Sequence, residues 1–169
     1  MSEFKQSETL DEDNKWYCNK CQEHVQATKT LELYRVPKVL IISFKRFKAG
    51  KSRYGFGGQK VDTHVDFPLM GLDMRPFVLM PEQRNSASLL YDCFGISNHF
   101  GGVGGGHYTA FAKNPISGKW YDFDDSSVRE INENSRYGDG LVSSSAYNLF
   151  FRLRNENETM DNLNLDNVM

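Results

Sequence analysis

The sequence predicts a mainly antiparallel β-sheet with few helices. Short apolar stretches either alternate with polar residues or run continuously, Pro and Gly punctuate them, and long helical periodicity is nearly absent. Residues 1–15 are polar, with an acidic run at Asp11-Glu-Asp13, and read as a short helix or an ordered lead-in. Residues 27–34 alternate like a half-buried strand. Pro37 leads into Val39-Leu-Ile-Ile-Ser-Phe44, a continuous apolar run that reads as a central strand. Residues 48–59 hold four Gly and three basic residues and read as a mobile surface loop, a hairpin connection. Residues 61–67 alternate again and stop at Pro68. Residues 89–98 are a further strand. Residues 108–113 and 119–123 flank Asn114-Pro-Ile-Ser-Gly118, which is turn chemistry for a hairpin. Residues 143–147 suggest a turn, and residues 146–154 a last strand. Residues 155–169 hold four acids, five Asn and no Lys or Arg, and read as a disordered acidic tail.

A chain of 169 residues fits one ordinary domain or a large piece of a bigger one. Its 39% hydrophobic and 13% aromatic content supplies a core and excludes a mostly disordered chain. The formal net charge of -2 makes nucleic acid an unexpected partner. The longest apolar run falls far short of the ~20 residues that cross a bilayer, so no membrane partner is expected. No secretory signal opens the chain. Three cysteines, Cys18, Cys21 and Cys93, argue against a disulfide framework and for a reducing compartment, cytoplasmic or nuclear.

Cys18 and Cys21 form a Cys-x2-Cys pair within Trp16-Tyr-Cys-Asn-Lys-Cys21. Two thiolates at this spacing can hold one Zn2+ on a tight turn, but a structural site needs four ligands. Three readings stay open: two ordinary reduced thiols, a zinc half-site completed from elsewhere, or a site that recruits His24. Cys93 sits mid-strand, where a free cysteine is a small buried hydrophobe, and no cation or helix start adjoins it to activate the thiol.

His107 follows five glycines in six residues, Gly101, Gly102, Gly104, Gly105 and Gly106 around Val103, and precedes Tyr108. Glycine permits close backbone approach, so such a loop can move or lie flat against an extended peptide. Histidine is the commonest general base. His24, His64 and His99 lack that setting and read as ordinary surface or core residues. If the hairpin loop is residues 114–118, Lys113 faces Lys119 and His107 faces Asp125. If the loop is one residue shorter, Lys113 faces Gly118 and His107 faces Asp124. An acid accepting from Nδ1–H would orient the ring and leave Nε2 free to activate a nucleophile. The plainer reading is that Asp124, Asp125 and Ser126 only end a strand and form a turn.

At these residues the sequence resembles the ubiquitin-specific protease family of cysteine peptidases. The stretches that carry the likeness are residues 16–21, Pro37-Lys-Val-Leu-Ile-Ile-Ser-Phe-Lys-Arg-Phe47, residues 101–113 and Lys119-Trp-Tyr-Asp-Phe-Asp-Asp-Ser-Ser-Val128. Residues 61–68 and 146–151 agree as well. Residues 97–107 look most like the subgroup whose catalytic domain is split by a long insert. The resemblance implies an α+β, papain-like fold. Residues 16–154 would be the C-terminal half of the catalytic domain, with much of its palm sheet and part of its zinc-ribbon fingers.

The resemblance also implies roles. His107 matches the catalytic base, Asp124 the acid, and Asp125 the assisting polar residue. Gly101, Gly102, Gly104, Gly105, Gly106 and Tyr108 match the segment over the ubiquitin tail, and residues 48–59 the other loop that frames that channel. Cys18 and Cys21 match one of two cysteine pairs of the structural zinc site. The family's cysteine box and its oxyanion-hole Asn have no match here. The expected partners are therefore ubiquitin, ubiquitinated proteins and an N-terminal half of the same domain that carries the nucleophile. An inactive ubiquitin-binding or scaffold module is the alternative. A zinc-dependent hydrolase is disfavoured, because the thiols lie far from His107 in sequence and no His-Glu-x-x-His occurs.

Overall fold

In the computed structural model, residues 5–52, 55–86, 89–131 and 140–154 are described, without the side chains of residues 49–52 and 55–57. The expected acidic tail lies outside them. The chain divides into two compact units, 1–36 with 74–89, and 37–73 with 90–169.

The first unit is built from short pieces. β1 (Glu8–Thr9) pairs with β4 (Thr28–Lys29), and between them β2 (Trp16–Cys18) pairs with β3 (Glu23–Val25). The lead-in carries one 3-10 turn, Glu12–Asn14. The half-buried strand expected over 27–34 is not formed. Only Thr28 and Lys29 join a ladder, Leu33 makes a lone parallel bridge to Val78, and Leu31 and Tyr34 are exposed. Alternation creates an apolar face, but a strand also needs a partner for its backbone groups. The Gln83 amide, on the single-turn helix α1 (Pro81–Arg84), replaces such a partner at Val36. It accepts from Val36 N–H at 2.8 Å and donates to Val36 C=O at 2.9 Å.

The second unit holds β5 (Val39–Ser43), β6 (Phe47–Ser52), β7 (Gly55–Lys60), β8 (Leu72–Asp73), β9 (Leu90–Gly102), β10 (Gly105–Lys113), β11 (Trp120–Asp124), β12 (Ser127–Ile131) and β13 (Ala146–Leu153). Its main sheet is antiparallel in the order β12-β11-β10-β9-β13-β5, with β8 on β9. Tyr91, Ile96, Trp120, Leu149 and Phe151, all nearly inaccessible, form the core. The 48–59 stretch is a hairpin, β6 on β7. Among the described residues no helix is long and apolar enough to cross a membrane.

Two strand expectations change. β5 lies at the sheet edge, not its centre, and Val39 and Ile41 are exposed on one face. A continuous apolar run marks a strand with two apolar faces, but it does not determine which neighbours this chain supplies. Residues 61–67 join no ladder. Their carbonyls are taken by the buried Arg46 instead. Its Nη1 donates to Val61 O at 2.8 Å and Thr63 O at 2.9 Å, and its Nε donates to Ala146 O at 2.6 Å.

Arg46 thus ties the start of β6, the segment after β7 and the start of β13 through one planar fork. A lysine cannot present three donors in that plane. Arg46→Lys is expected to destabilise the fold by about 2–3 kcal/mol, because carbonyls left dry and unpaired each cost about 1–3 kcal/mol. The check is the urea midpoint; a variant that unfolds with the parent would refute the clamp.

Candidate active site

β9 and β10 stay paired to their tips, with Gly105 opposite Gly102, Gly106 opposite Gly101, and His107 opposite Phe100. The glycine-rich segment is therefore a tight hairpin turning at Val103-Gly104. Glycine is needed at two places in it. Gly101 has φ +96°, a backbone conformation that side chains rarely adopt. A Cβ on Gly106 would lie 2.3 Å from both His99 Nε2 and Phe100 O. Val103 in turn rests on Gly58 of β7, with the space for a Cβ there only 2.8 Å from its side chain. The two glycine-bearing hairpins touch at this point.

The β10–β11 hairpin is longer than either expected register. Lys113 pairs with Trp120, Phe111 with Asp122 and Ala110 with Phe123. Continued, this ladder sets Asp124 across from Thr109, so neither Asp124 nor Asp125 stands directly opposite His107. The extra residue is Lys119, which stays in the loop: Asn114 N–H donates to Lys119 O, and the Asn114 side chain accepts from Ile116 and Ser117.

His107 and Thr109 share a face, and the diagonal across strands is within reach of long and aromatic side chains. His107 Nε2 meets Asp124 Oδ1 at 2.5 Å, with both side chains about half exposed. The ring nitrogen on the acid is thus Nε2, not Nδ1 as expected; Nδ1 is the nitrogen that the acid leaves untaken. Asp125 sits at φ 48° in the two-residue turn to β12, a left-handed conformation that Asp tolerates. The hydrogen bond that His107 donates to Asp124 raises the His107 pKa above its ordinary value, with smaller help from the charges of Asp124 and Asp125.

Tyr108 points to the opposite face. Its ring lies 4.7 Å from that of His99, and Phe47 and Tyr147 pack on the same His99 ring. His99 is buried, and Lys60 Nζ donates to its carbonyl at 2.7 Å. Read from sequence as an ordinary histidine, His99 is the floor on which Gly106 lies.

On the His107 face an open groove of about 1080 Å³ is bordered by Phe100, Gly101, His107, Phe111, Asp122 and Asp124, among others. Sequence reasoning missed Asp122. Its signal was the i, i+2 spacing from Asp124, which places both carboxylates on one face.

Cys93 is far from this pair. It lies seven residues along β9 from Phe100, the partner of His107, or about 23 Å of strand. It is buried, and burial pushes its thiol up to about 11. Cys18 ends β2 and Cys21 lies within the turn to β3. Backbone N–H groups of Cys21 and Lys20, with the Cys21 thiol, hold the Cys18 pKa below its ordinary value. His24 does not join them. It pairs with Tyr17, one position from the Cys18–Glu23 pair, and its ring packs edge-on against Tyr17. Among the described residues the one three-member group of potential metal ligands is His107, Asp124 and Asp125.

A family model described as ubiquitin carboxyl-terminal hydrolase matches residues 6–151, and the chain belongs to that family. Ubiquitin carboxyl-terminal hydrolase 15 of Homo sapiens is 48% identical over 149 residues, 88% of this chain and 14% of that protein. Ubiquitin carboxyl-terminal hydrolase 10 of Arabidopsis thaliana is 43% identical over 160 residues, 94% of this chain and 16% of that protein. Among solved structures, a chain of the SAGA Ubp8/Sgf11/Sus1/Sgf73 DUB module bound to ubiquitin aldehyde matches with a TM-score of 0.70 and 29% identity. That match covers 91% of this chain and 32% of the other. The chain thus spans about one seventh of the curated relatives it matches.

The raised His107 pKa has a definite sign. The His107–Asp124 ion pair is fully formed below the ordinary imidazole value of about 6.5 and is lost as pH rises through the higher folded value. Asp124→Asn is expected to lower the midpoint of His107, read from its ring resonances in an NMR pH titration. Gly106→Ala is expected to lower it too, by prising β10 from His99 and shifting the ring off Asp124. A His107 midpoint unchanged in both variants would rule out the coupling.

Proposed function

We propose that this protein is a deubiquitinating cysteine peptidase, cleaving peptide and isopeptide bonds at the ubiquitin C-terminus. In this reading the chain is the C-terminal half of the catalytic domain, and the nucleophilic cysteine is supplied by an N-terminal half. The observation that carries the reading is the 2.5 Å contact of His107 with Asp124 on the wall of an open groove. With Nε2–H donating to Asp124, Nδ1 of the neutral ring holds the lone pair and acts as the base.

The thiol gives its proton to Nδ1 and the sulfur attacks the carbonyl carbon. The C–N bond breaks as the imidazolium returns the proton to the departing amine, and water then hydrolyses the thioester. Asp124 orients the ring and stabilises its cationic form. Asp125 assists through its charge. Gly101, Gly102, Gly104, Gly105, Gly106 and Tyr108 line the path of the ubiquitin tail, and the contact of Val103 with Gly58 supports a channel framed by both hairpins. The name of a matched structure, bound to ubiquitin aldehyde, supports ubiquitin as ligand.

We further assign Cys18 and Cys21 as two of four ligands of a structural Zn2+. The lowered Cys18 pKa and the neighbouring Cys21 thiol fit a thiolate pair, and a bound ion would cross-link this turn to the segment carrying the other ligands. Free Cys18, Cys21 and Cys93 support residence in the cytoplasm or nucleus. The distance and burial of Cys93 favour one second reading, a ubiquitin-binding module without catalysis.

His107→Ala in the intact protein separates the two. It is expected to abolish release of a fluorophore from the ubiquitin C-terminus, and retained turnover would sink the peptidase reading. Asp124→Ala should lower kcat by about 10²–10⁴-fold and Asp125→Ala by less than about tenfold. The 169-residue chain alone should show no turnover. It should also bind Zn2+ only weakly, because two thiolates leave the tetrahedron half filled. Tight one-to-one binding by this chain would contradict the half-site.

A further inference from the structure

One carboxylate oxygen beside the His107 groove is buried and has no partner. Asp122 is buried, with 9% of its side chain accessible. Arg129 Nε donates to its Oδ2 at 2.9 Å, and its Oδ1 is buried without any partner. Among the described residues the other charged groups lining the groove are engaged, while Nδ1 of the buried His99, also on its lining, is likewise without a partner. Lys60 pairs with Asp62, Lys119 with Glu130, and His107 with Asp124. An unpaired buried carboxylate oxygen is costly, and a donor that enters the groove removes the cost.

We propose that Asp122 is a positioning residue: its Oδ1 receives an N–H donor, cationic or amide, from the polypeptide segment that carries the nucleophile, and so fastens that segment against His107. This rests on the peptidase reading above. Asp122 and Asp124 lie two residues apart on β11 and face the same side, about 7 Å from one another. Asp122 pairs with Phe111, four residues along β10 from His107 and on the same face, so a segment that brings a thiol to His107 Nδ1 and continues along the groove reaches it. Burial increases along β11 from the half-exposed Asp124 to Asp122 and the inaccessible Trp120. A substrate that enters and leaves at every turnover would have to strip the buried carboxylate's neighbourhood of water each time. A permanently docked segment does so once, on folding. Arg129 fixes the orientation of the acceptor, since the guanidinium holds Oδ2 and leaves Oδ1 unpartnered; Oδ1 is covered, and the incoming donor takes it up as the exposed Arg129 side chain gives way.

Asp122→Asn is the informative change. It keeps the volume, but Arg129 attracts the amide oxygen and turns the NH2 toward the groove, setting donor against donor. In the intact protein, turnover of a ubiquitin C-terminal fluorogenic amide is measured together with the pH profile of iodoacetamide alkylation of the nucleophilic thiol. The expected result is kcat down about tenfold, the loss of one charge-assisted hydrogen bond, with KM nearly unchanged. Alkylation at pH 6 should slow by a similar factor, because a displaced thiol loses its pairing with His107. Asp122→Glu should restore part of both.

A higher KM with kcat retained would overturn the proposal and make Asp122 a substrate-reading residue. A lower melting temperature with a parental alkylation profile would overturn it as well, since the role would then be structural. Unchanged kcat and alkylation would do the same. If His107→Ala leaves turnover intact, the peptidase reading fails instead, and that outcome is independent of Asp122.

Discussion

The second unit depends on the absence of space between Gly106 and the His99 ring. A single methyl group at Gly106 would overlap both that ring and the Phe100 carbonyl, so β9 and β10 can approach as they do only with hydrogen there. That approach holds the ladder together up to the pair His107–Phe100 and presents the imidazole at a constant height above the sheet. His99 is held in turn by Phe47, Tyr108 and Tyr147 around its ring and by Lys60 on its carbonyl. The histidine that we propose as the base, in contact with Asp124, is thus mounted on a packed aromatic cluster, not on a free loop.

The alternation of a strand divides the work between two faces. His107, Thr109 and Phe111 look into the groove, while Tyr108 looks toward the aromatic cluster and the β6–β7 hairpin. One short stretch of β10 therefore serves both the His107–Asp124 pair and the support beneath it. Buried cations complete the support. Arg46 and Lys60 spend their donors largely on backbone carbonyls, three for Arg46 and that of His99 for Lys60. A buried charge is tolerable when most of its donors are matched; Nη2 of Arg46 has no partner, and the bonds from Nε and Nη1 join segments far apart in sequence.

Asp122 shows the opposite condition. Its Arg129 partner satisfies one oxygen, and the other is buried beside the groove without a partner. On our proposal, that unpartnered oxygen is where this face receives another polypeptide segment.

Much was legible in the sequence. Local patterns determined the strands at 89–98, 108–113, 119–123 and 146–154, the turn chemistry at Asn114, and the juxtaposition of a glycine-flanked histidine with a pair of acids. These signals depend on near neighbours, through period-two alternation and turn-forming side chains. Tertiary structure alone decided the offset between β10 and β11, and with it the diagonal contact of His107 Nε2 with Asp124. It also decided that β5 lies at an edge, that residues 61–67 bond to Arg46 instead of a strand, and that His24 turns to Tyr17 and away from Cys18. The physical reason is the same in each case. Alternation determines which face a side chain takes, but the partner of a backbone group or an imidazole depends on chain segments tens of residues away, and no local period encodes their arrival.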